Sequence, residues 1–174
     1  LPWLSRRRQL LPLGGTSNHF RRAALEHVLG WDPYNVTEDA DLGVRLARFG
    51  YRIETISLPT REDAPDTPMV WIRQRTRWFK GWTQTWLVHM RRPAGLFREL
   101  GVGSYALFQI LFAGMLVSAL FHPLMLVTGI GLAAHSSFTE LDSTQQVLLA
   151  MDTVNIALGY GAFLFLAWRA LPRN

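Results

Sequence analysis

The sequence predicts a partial α/β domain followed by an amphipathic interfacial helix and two transmembrane helices. Three observations support this fold class. Charge is divided unevenly, because residues 1–100 hold 16 of the 18 basic and 10 of the 13 acidic residues. Two long apolar stretches occupy most of the remaining chain. A segment rich in tryptophan and arginine, with helical periodicity, joins the polar part to the apolar part.

The polar part alternates helix and strand signals. The segment "LLPLGGTSN" predicts a short strand that runs into a Gly-Gly turn, and Asn18 is placed to cap a helix over residues 19–29. Thr37 is placed to cap a second helix over residues 38–49, which Gly50 would end. The segment "YRIETISL" alternates in part between polar and apolar residues and predicts a second strand.

The apolar part predicts two membrane-spanning helices, over residues 104–134 and 147–168. Each is long enough to cross a hydrocarbon core of about 30 Å, which takes roughly 20 helical residues. The loop between them carries Glu140 and Asp142 and no basic residue, whereas arginines flank both spans. The positive-inside rule places both flanks in the cytoplasm and the loop outside. The expected domains are residues 1–66, residues 67–100 with the interfacial helix, and residues 101–174.

Composition excludes several kinds of site. The chain has no cysteine, so disulfides, thiolate catalysis and cysteine-ligated metal sites are excluded. Its five histidines do not have the spacing of zinc ligands. The first residues contain no initiator methionine and no apolar run of signal-peptide length, so we expect a piece of a longer protein.

The carboxylates of "NVTEDADLG" allow a structural and a catalytic interpretation. A threonine followed by acids is what a helix start requires, because the hydroxyl caps free N–H groups and the helix dipole favours negative charge. A carboxylate held rigidly at a helix start also suits a general base. Glu38 and Asp39 are successive, so their side chains diverge, and one could face a pocket while the other braces the loop.

The segment "WIRQRTRWFKGWTQTWLVHMRR" predicts an amphipathic helix at a membrane surface. At about 100° per residue, four tryptophans share a sector opposite the basic residues; they are Trp71, Trp78, Trp82 and Trp86. Arg75 departs from this pattern, because it lands among the tryptophans. Planar arginine forks suit diphosphate, and an indole face suits a sugar ring. Nucleic acid is not an expected partner, because membrane spans follow.

Two motifs in this order resemble a known family. Thr37-Glu38-Asp39 resembles the TED motif of membrane-embedded family 2 glycosyltransferases, and Gln74, Arg77 and Trp78 resemble their Q-x-x-R-W motif. This group includes cellulose, hyaluronan, chitin and other polysaccharide synthases. The Gly-rich turn, the motif spacing of about 35 residues and the membrane helices that follow are also similar. The resemblance covers nearly the whole chain.

The resemblance implies a GT-A-like fold and an inverting sugar transfer to a polysaccharide or glycan acceptor. The donor would be a nucleotide-sugar, with UDP-glucose expected from family frequency, and the site would face the cytoplasm at a bacterial inner (plasma) membrane. Asp39 would be the catalytic base that deprotonates the acceptor hydroxyl. The expected substrate-binding residues are Gly15, Thr16, Ser17, Asn18, Glu38, Gln74, Arg75, Arg77 and Trp78.

The chain departs from the family pattern in its donor half. No D-x-D stands ahead of residue 37, and Asp39-Ala40-Asp41 overlaps TED and comes after the expected position. We therefore expect the ligands of a divalent metal, Mg or Mn, to lie in a missing N-terminal half of the synthase. The isolated chain is then expected to be inactive. The alternative is a non-catalytic, membrane-anchored remnant that binds a partner synthase or anionic lipid.

Overall fold

The computed structural model describes residues 2–7, 9–56, 60, 62–63 and 65–170. The chain divides into two compact units, residues 1–116 and residues 117–174. The described secondary structure is helical and consists of α1 (Pro2–Arg6), α2 (Arg22–His27), α3 (Glu38–Arg48), α4 (Pro68–His89), α5 (Pro93–Phe108), a π-helical segment (Gln109–Ala113), α6 (Gly114–Ser136) and α7 (Ser143–Ala170).

Helix α3 is the centre of the first unit, because apolar clusters cover it on two sides. Ala40 and Val44, one turn apart, pack in a cluster with aromatic residues of α5 and the π-helical segment. Leu42 and Leu46, also one turn apart, pack against α2. Burial on both sides fixes the position of the first turn of α3, which carries the TED acids.

The starts of α3 and α4 confirm the sequence prediction. Helix α3 begins at Glu38 and ends one residue before the expected Phe49. Gly50 follows with a φ of +78°, the left-handed conformation that a glycine allows after a helix. Thr67 caps α4, since its hydroxyl accepts a hydrogen bond from the Val70 amide at 3.3 Å.

Neither predicted strand is found in the described residues. Residues 9–13 and 51–56 have no regular secondary structure, and the last two residues of "YRIETISL" lie outside the described part of the chain. Tyr51 and Ile53 do pack against the second apolar cluster. A strand, however, is a paired element, and no described segment forms a hydrogen-bonded ladder with this one.

Two predicted side-chain caps are wrong, because each side chain bonds elsewhere. Helix α2 begins at Arg22, and Asn18 instead donates a hydrogen bond to the Gly14 carbonyl, which closes the Gly-Gly turn. Thr37 precedes α3 without capping it. The Thr37 hydroxyl donates to Asn35 Oδ1 at 3.4 Å. The loop before α3 is therefore held by its own side chains.

The second unit consists of most of α6 together with α7. By length and composition, Pro93–Ser136 and Ser143–Arg169 are each apolar enough to cross a membrane. The expected spans, residues 104–134 and 147–168, fall within these two stretches. Asp152 of α7 is buried against α6, where Thr128 Oγ1 lies 2.9 Å from its Oδ2. In a membrane, this pairing would keep a polar side chain away from lipid.

Candidate active site

Asp39 lies in the first turn of α3, half-buried beside the Gly-Gly turn. Its Oδ1 accepts a hydrogen bond from the Ala40 amide at 2.7 Å. A side-chain carbon on Gly15 would lie 3.4 Å from its Oδ2, so the turn passes directly over the carboxylate. Burial raises the pKa of Asp39 above its usual range, and the charge of Glu38 adds to this against the opposing effects of the Ala40 amide and Arg77. A raised pKa makes this carboxylate a stronger base than an exposed one.

Helix α4 docks onto the loop that leads into α3. Gly81 faces Thr37 so closely that a Cβ on the glycine would lie 2.6 Å from Thr37 Cγ2. One turn further along α4, Thr85 accepts a hydrogen bond at 2.8 Å from the side-chain amide of Asn35. Asn35 in turn accepts from the Thr37 amide at 3.0 Å. These contacts hold the TED segment and α4 in one register.

The same face of α4 ends in a buried ionic cluster. His89 Nε2 lies 2.9 Å from Asp41 Oδ1, and Arg45 donates to Asp41 Oδ2 at 2.7 Å. Burial alone would raise the pKa of Asp41, but the hydrogen bond and charge of His89, and then the charge and hydrogen bond of Arg45, hold it below its usual range. Asp41 is therefore an ionised structural anchor two residues beyond Asp39.

The exposed N-terminal half of α4 carries the Q-x-x-R-W side chains. Gln74 is half-buried, and Arg77 and Trp78 are exposed. The Arg75 guanidinium carbon lies 4.4 Å from the Trp78 ring centroid and 5.4 Å from that of Trp71. The Arg75 guanidinium therefore lies within cation–π distance of both indole rings.

The structure brings part of the expected set together. A Cβ on Gly15 would lie 3.4 Å from Asp39 Oδ2, and the charge of Arg77 opposes the rise that burial causes in the pKa of the Asp39 carboxyl. Three other expected residues, Thr16, Ser17 and Asn18, form hydrogen bonds with Glu62, Thr60 and Gly14 instead. An acidic, a basic and a glycine residue of the expected set therefore converge at the start of α3.

Comparison with known families agrees with this geometry. Residues 4–136 match Glycosyl transferase family group 2. The chain belongs to this family. The matched region includes the Gly-Gly turn, α3, α4 and α5, so the whole candidate site of this glycosyltransferase lies inside it.

Similar proteins are bacterial enzymes with related names. The chain is 38% identical over 74 residues to the probable glycosyltransferase YdaM of Bacillus subtilis (strain 168), covering 42% of this chain and 18% of that protein. It is 31% identical over 104 residues to a beta-monoglucosyldiacylglycerol synthase of Synechocystis sp. (strain ATCC 27184 / PCC 6803 / Kazusa), covering 57% of this chain and 22% of that protein. The chain thus spans about a fifth of the length of these curated relatives. No solved structure matches it significantly.

Only two of the four tryptophans predicted to share one interfacial face of α4 in this glycosyltransferase are exposed. Trp82 and Trp86 pack against the first apolar cluster. The Trp86 indole N–H also donates to Gln109 Oε1 at 2.9 Å. Helical periodicity puts them on the same face as Trp71 and Trp78. Tertiary packing, however, covers Trp82 and Trp86 and leaves Trp71 and Trp78 exposed. Trp86 is therefore a packing residue and not an interfacial anchor.

Sequence reasoning missed the residues that dock α4. Gly81, Thr85 and His89 are spaced four residues apart and are the buried residues of that helix. Small and polar residues at such spacing are a signal for one buried stripe. The signal was hidden because the tryptophans and arginines of the same segment form a more conspicuous pattern.

The residues present do not fit a divalent metal. In the described part of the chain, no three His, Asp or Glu side chains come together in a way that could hold one. Asp39-Ala40-Asp41 has the letters of a D-x-D motif, but both Asp41 oxygens are bonded to His89 and Arg45. No step below is derived through a metal.

Proposed function

We propose that this glycosyltransferase performs an inverting sugar transfer from a nucleotide-sugar to an acceptor hydroxyl at the cytoplasmic face of the bacterial inner (plasma) membrane. The chain supplies the acceptor and base half of a GT-A-like site, and the donor half lies outside it. The observation that carries this proposal is the half-buried Asp39, with its raised pKa, beneath the Gly-Gly turn and within range of the Arg77 charge.

The proposed chemistry uses groups of this chain. As the acceptor oxygen attacks the anomeric carbon, its proton passes to the Asp39 carboxylate. The bond from that carbon to the nucleotide diphosphate breaks on the opposite face, so the configuration inverts. In this proposal Arg77 stabilises the negative charge of the departing diphosphate, and Trp78 stacks on a sugar ring.

The acceptor we propose first is a growing polysaccharide or other glycan, as the motif resemblance implies. A lipid acceptor is the second candidate, because a relative named beta-monoglucosyldiacylglycerol synthase matches 57% of the chain. Exposed apolar side chains also line the N-terminal half of α4 beside the site; they are Met69, Val70, Trp71 and Ile72. Such a surface suits an acceptor that stays in the membrane.

Product analysis tests these assignments. Membranes that carry the full-length protein are incubated with radiolabelled UDP-glucose and then extracted with organic solvent. Label in an insoluble polymer supports the glycan acceptor, and label in the extract supports the lipid acceptor. Absence of both, with other nucleotide-sugars also tried, favours the alternative of a non-catalytic remnant that binds a partner synthase or anionic lipid.

Membrane orientation is tested by cysteine labelling, since this chain has no cysteine of its own. We expect Ser137→Cys, in the acidic loop, to react with a membrane-impermeant maleimide in intact cells. Arg92→Cys should react only after the membrane is opened. Any native cysteine elsewhere in the full-length protein is first replaced. Labelling of Arg92→Cys in intact cells would contradict the cytoplasmic site. The second flank, at Arg173, lies outside the described residues.

A further inference from the structure

Asn35 is a buried side chain in the loop that leads into α3, and the proposed sugar transfer does not use it directly. It is 6% exposed. A buried side-chain amide needs partners for both its nitrogen and its oxygen. Asn35 finds them on two elements, because its Nδ2 donates to Thr85 Oγ1 of α4 at 2.8 Å and its Oδ1 accepts from the Thr37 amide at 3.0 Å. The amide is therefore fixed in one orientation between the TED loop and α4.

The Thr37 hydroxyl is turned toward Asn35 and away from α3. The bond from the Thr37 amide to Asn35 Oδ1 closes an Asx turn, a local side-chain bond that competes with helix capping. The Thr37 hydroxyl donates to the same oxygen at 3.4 Å. With a ψ of 61°, Thr37 also lies outside the extended backbone conformation that a capping residue usually has. Asn35 thus keeps a threonine, a preferred capping residue, from capping α3.

The amide that a threonine cap could bind is bound by Asp39 instead. A capping hydroxyl at Thr37 would accept a hydrogen bond from the amide of Asp39 or Ala40, the second and third residues of α3. In the structure, Asp39 Oδ1 accepts from the Ala40 amide at 2.7 Å. Asp39 Oδ2 faces the Gly-Gly turn, where a Cβ on Gly15 would lie 3.4 Å away. The two oxygens of the carboxylate therefore have different surroundings.

The other neighbour of the Thr37 side chain cannot replace Asn35. This neighbour is Gly81 of α4, where a Cβ would lie 2.6 Å from Thr37 Cγ2. A glycine has no side chain with which to hold the hydroxyl. Without the Asn35 oxygen, the hydroxyl would be free to turn to the Ala40 amide, as a threonine at a helix start prefers. Thr37 and Asp39 would then compete for one N–H group.

We infer that Asn35 is a positioning residue for the catalytic base. By holding Thr37 away from the start of α3, it leaves the Ala40 amide to Asp39 Oδ1 and directs Asp39 Oδ2 to the acceptor hydroxyl. The inference rests on the proposed function, because that function makes Asp39 the base. Its structural part, in which Asn35 decides whether Thr37 caps α3, does not depend on that function.

The activity test compares Asn35→Ala, Thr37→Val and the double variant in membranes that carry the full-length protein. Asn35→Ala should lower kcat about tenfold, the scale of one hydrogen bond to a charged group, with little change in the KM of the nucleotide-sugar. Thr37→Val should have little effect, because the hydroxyl it removes makes only a 3.4 Å bond. In the double variant no hydroxyl competes for the Ala40 amide, so kcat should recover to within about threefold of the unmodified value.

The acid limb of the pH profile gives a readout that a loss of stability alone would not move. Burial raises the pKa of Asp39, and the Ala40 amide opposes that rise; the charge of Glu38 on α3 adds to it, and the charge of Arg77 on α4 opposes it. Loss of the Ala40 bond therefore raises this pKa further, so the base form disappears at a higher pH as the pH falls. The acid limb should move to higher pH in Asn35→Ala and return in the double variant.

Thermal unfolding tests the change of cap without any substrate. Thr37→Val should leave the melting temperature of the otherwise unmodified protein nearly unchanged. In the Asn35→Ala background, where the hydroxyl has become a cap, it should lower the melting temperature by about 2–4 °C. The same substitution then costs stability and restores activity, which a purely structural role of Asn35 does not give. Thr85→Val is the matched control, since it breaks only the bond from Asn35 to α4 and should lower stability without moving the acid limb.

Either of two results would overturn the inference. One is a double variant that transfers sugar no faster than Asn35→Ala. The other is an equal effect of Thr37→Val on unfolding in the two backgrounds. Should Asn35→Ala not fold, Asn35→Ser retains an oxygen for the Thr37 amide and should keep the acid limb in place, and a displaced limb would count against the inference. If even the unmodified protein transfers no sugar, the proposed function fails and the unfolding measurements alone decide the role of Asn35.

Discussion

Asp39→Asn in the full-length protein is expected to reduce sugar transfer by a factor of about 100 or more, the scale of a positioned general base. Asparagine keeps the shape of the side chain and tolerates a helix start, so the fold should remain. Its amide cannot take the proton of the acceptor hydroxyl. Transfer is measured in membranes with labelled nucleotide-sugar, at matched protein levels.

Glu38→Gln is the matched control, because it changes the neighbouring acid in the same turn. Glu38 is exposed, whereas Asp39 is half-buried beside Gly15, so the control should cost much less. Transfer by Asp39→Asn at near the unmodified rate would rule out the base assignment. The pH profile offers a second check. Since burial raises the pKa of Asp39, its base form should be lost at a higher pH than that of an exposed aspartate as the pH falls.

The local signals in the sequence predicted the helices of the candidate site well. Helix α4 begins at Pro68, one residue after the expected start of the interfacial segment at residue 67, and α3 begins and ends within one residue of expectation. Helix start and stop signals act over three or four positions, so a single segment located the ends of these helices, although the side chains of Asn18 and Thr37 bond elsewhere. The TED and Q-x-x-R-W motifs are readable for the same reason.

The strands could not be predicted in the same way. Alternation at residues 51–56 reports which side chains are apolar, and Tyr51 and Ile53 do face an apolar cluster. Whether such a segment becomes a strand depends on a hydrogen-bonding partner, which no local pattern supplies. Neither of the two short segments shows which part of the chain, if any, would pair with it, so the strand predictions could not be made reliably.

Long-range packing decided the remaining differences. Trp86 has the periodicity of an interfacial tryptophan, yet it donates to Gln109, 23 residues away, and packs against the core. His89 has no motif around it and still contacts Asp41, 48 residues earlier in the chain. Single-helix periodicity describes a face, but it does not say whether lipid, water or another helix covers that face.

Gly81→Ala is expected to displace α4 from the TED loop and to impair both folding stability and transfer. Replacing an exposed helical glycine by alanine normally stabilises the folded protein by up to about 1 kcal/mol. Here the new methyl group would collide with Thr37, whose Cγ2 and Cβ atoms would lie at 2.6 and 2.8 Å. Overpacking of this kind costs about 1–3 kcal/mol. A shift of about 1 Å in a catalytic site can lower the rate roughly 100-fold. We therefore expect sugar transfer to fall sharply even if the protein still folds.

Thermal unfolding and transfer are measured for Gly81→Ala beside Gly131→Ala, a helical glycine of α6 with no atom within 4 Å of its potential Cβ. The control should be at least as stable as the unmodified protein and should transfer sugar at a similar rate. A double-mutant cycle with Thr37→Gly then isolates the contact, because removing the threonine side chain makes room for the methyl group. Gly81→Ala should be much less destabilising in that background than alone. Equal destabilisation in the two backgrounds would mean that the cost of the alanine does not come from Thr37, and that α4 meets the TED segment at a different register.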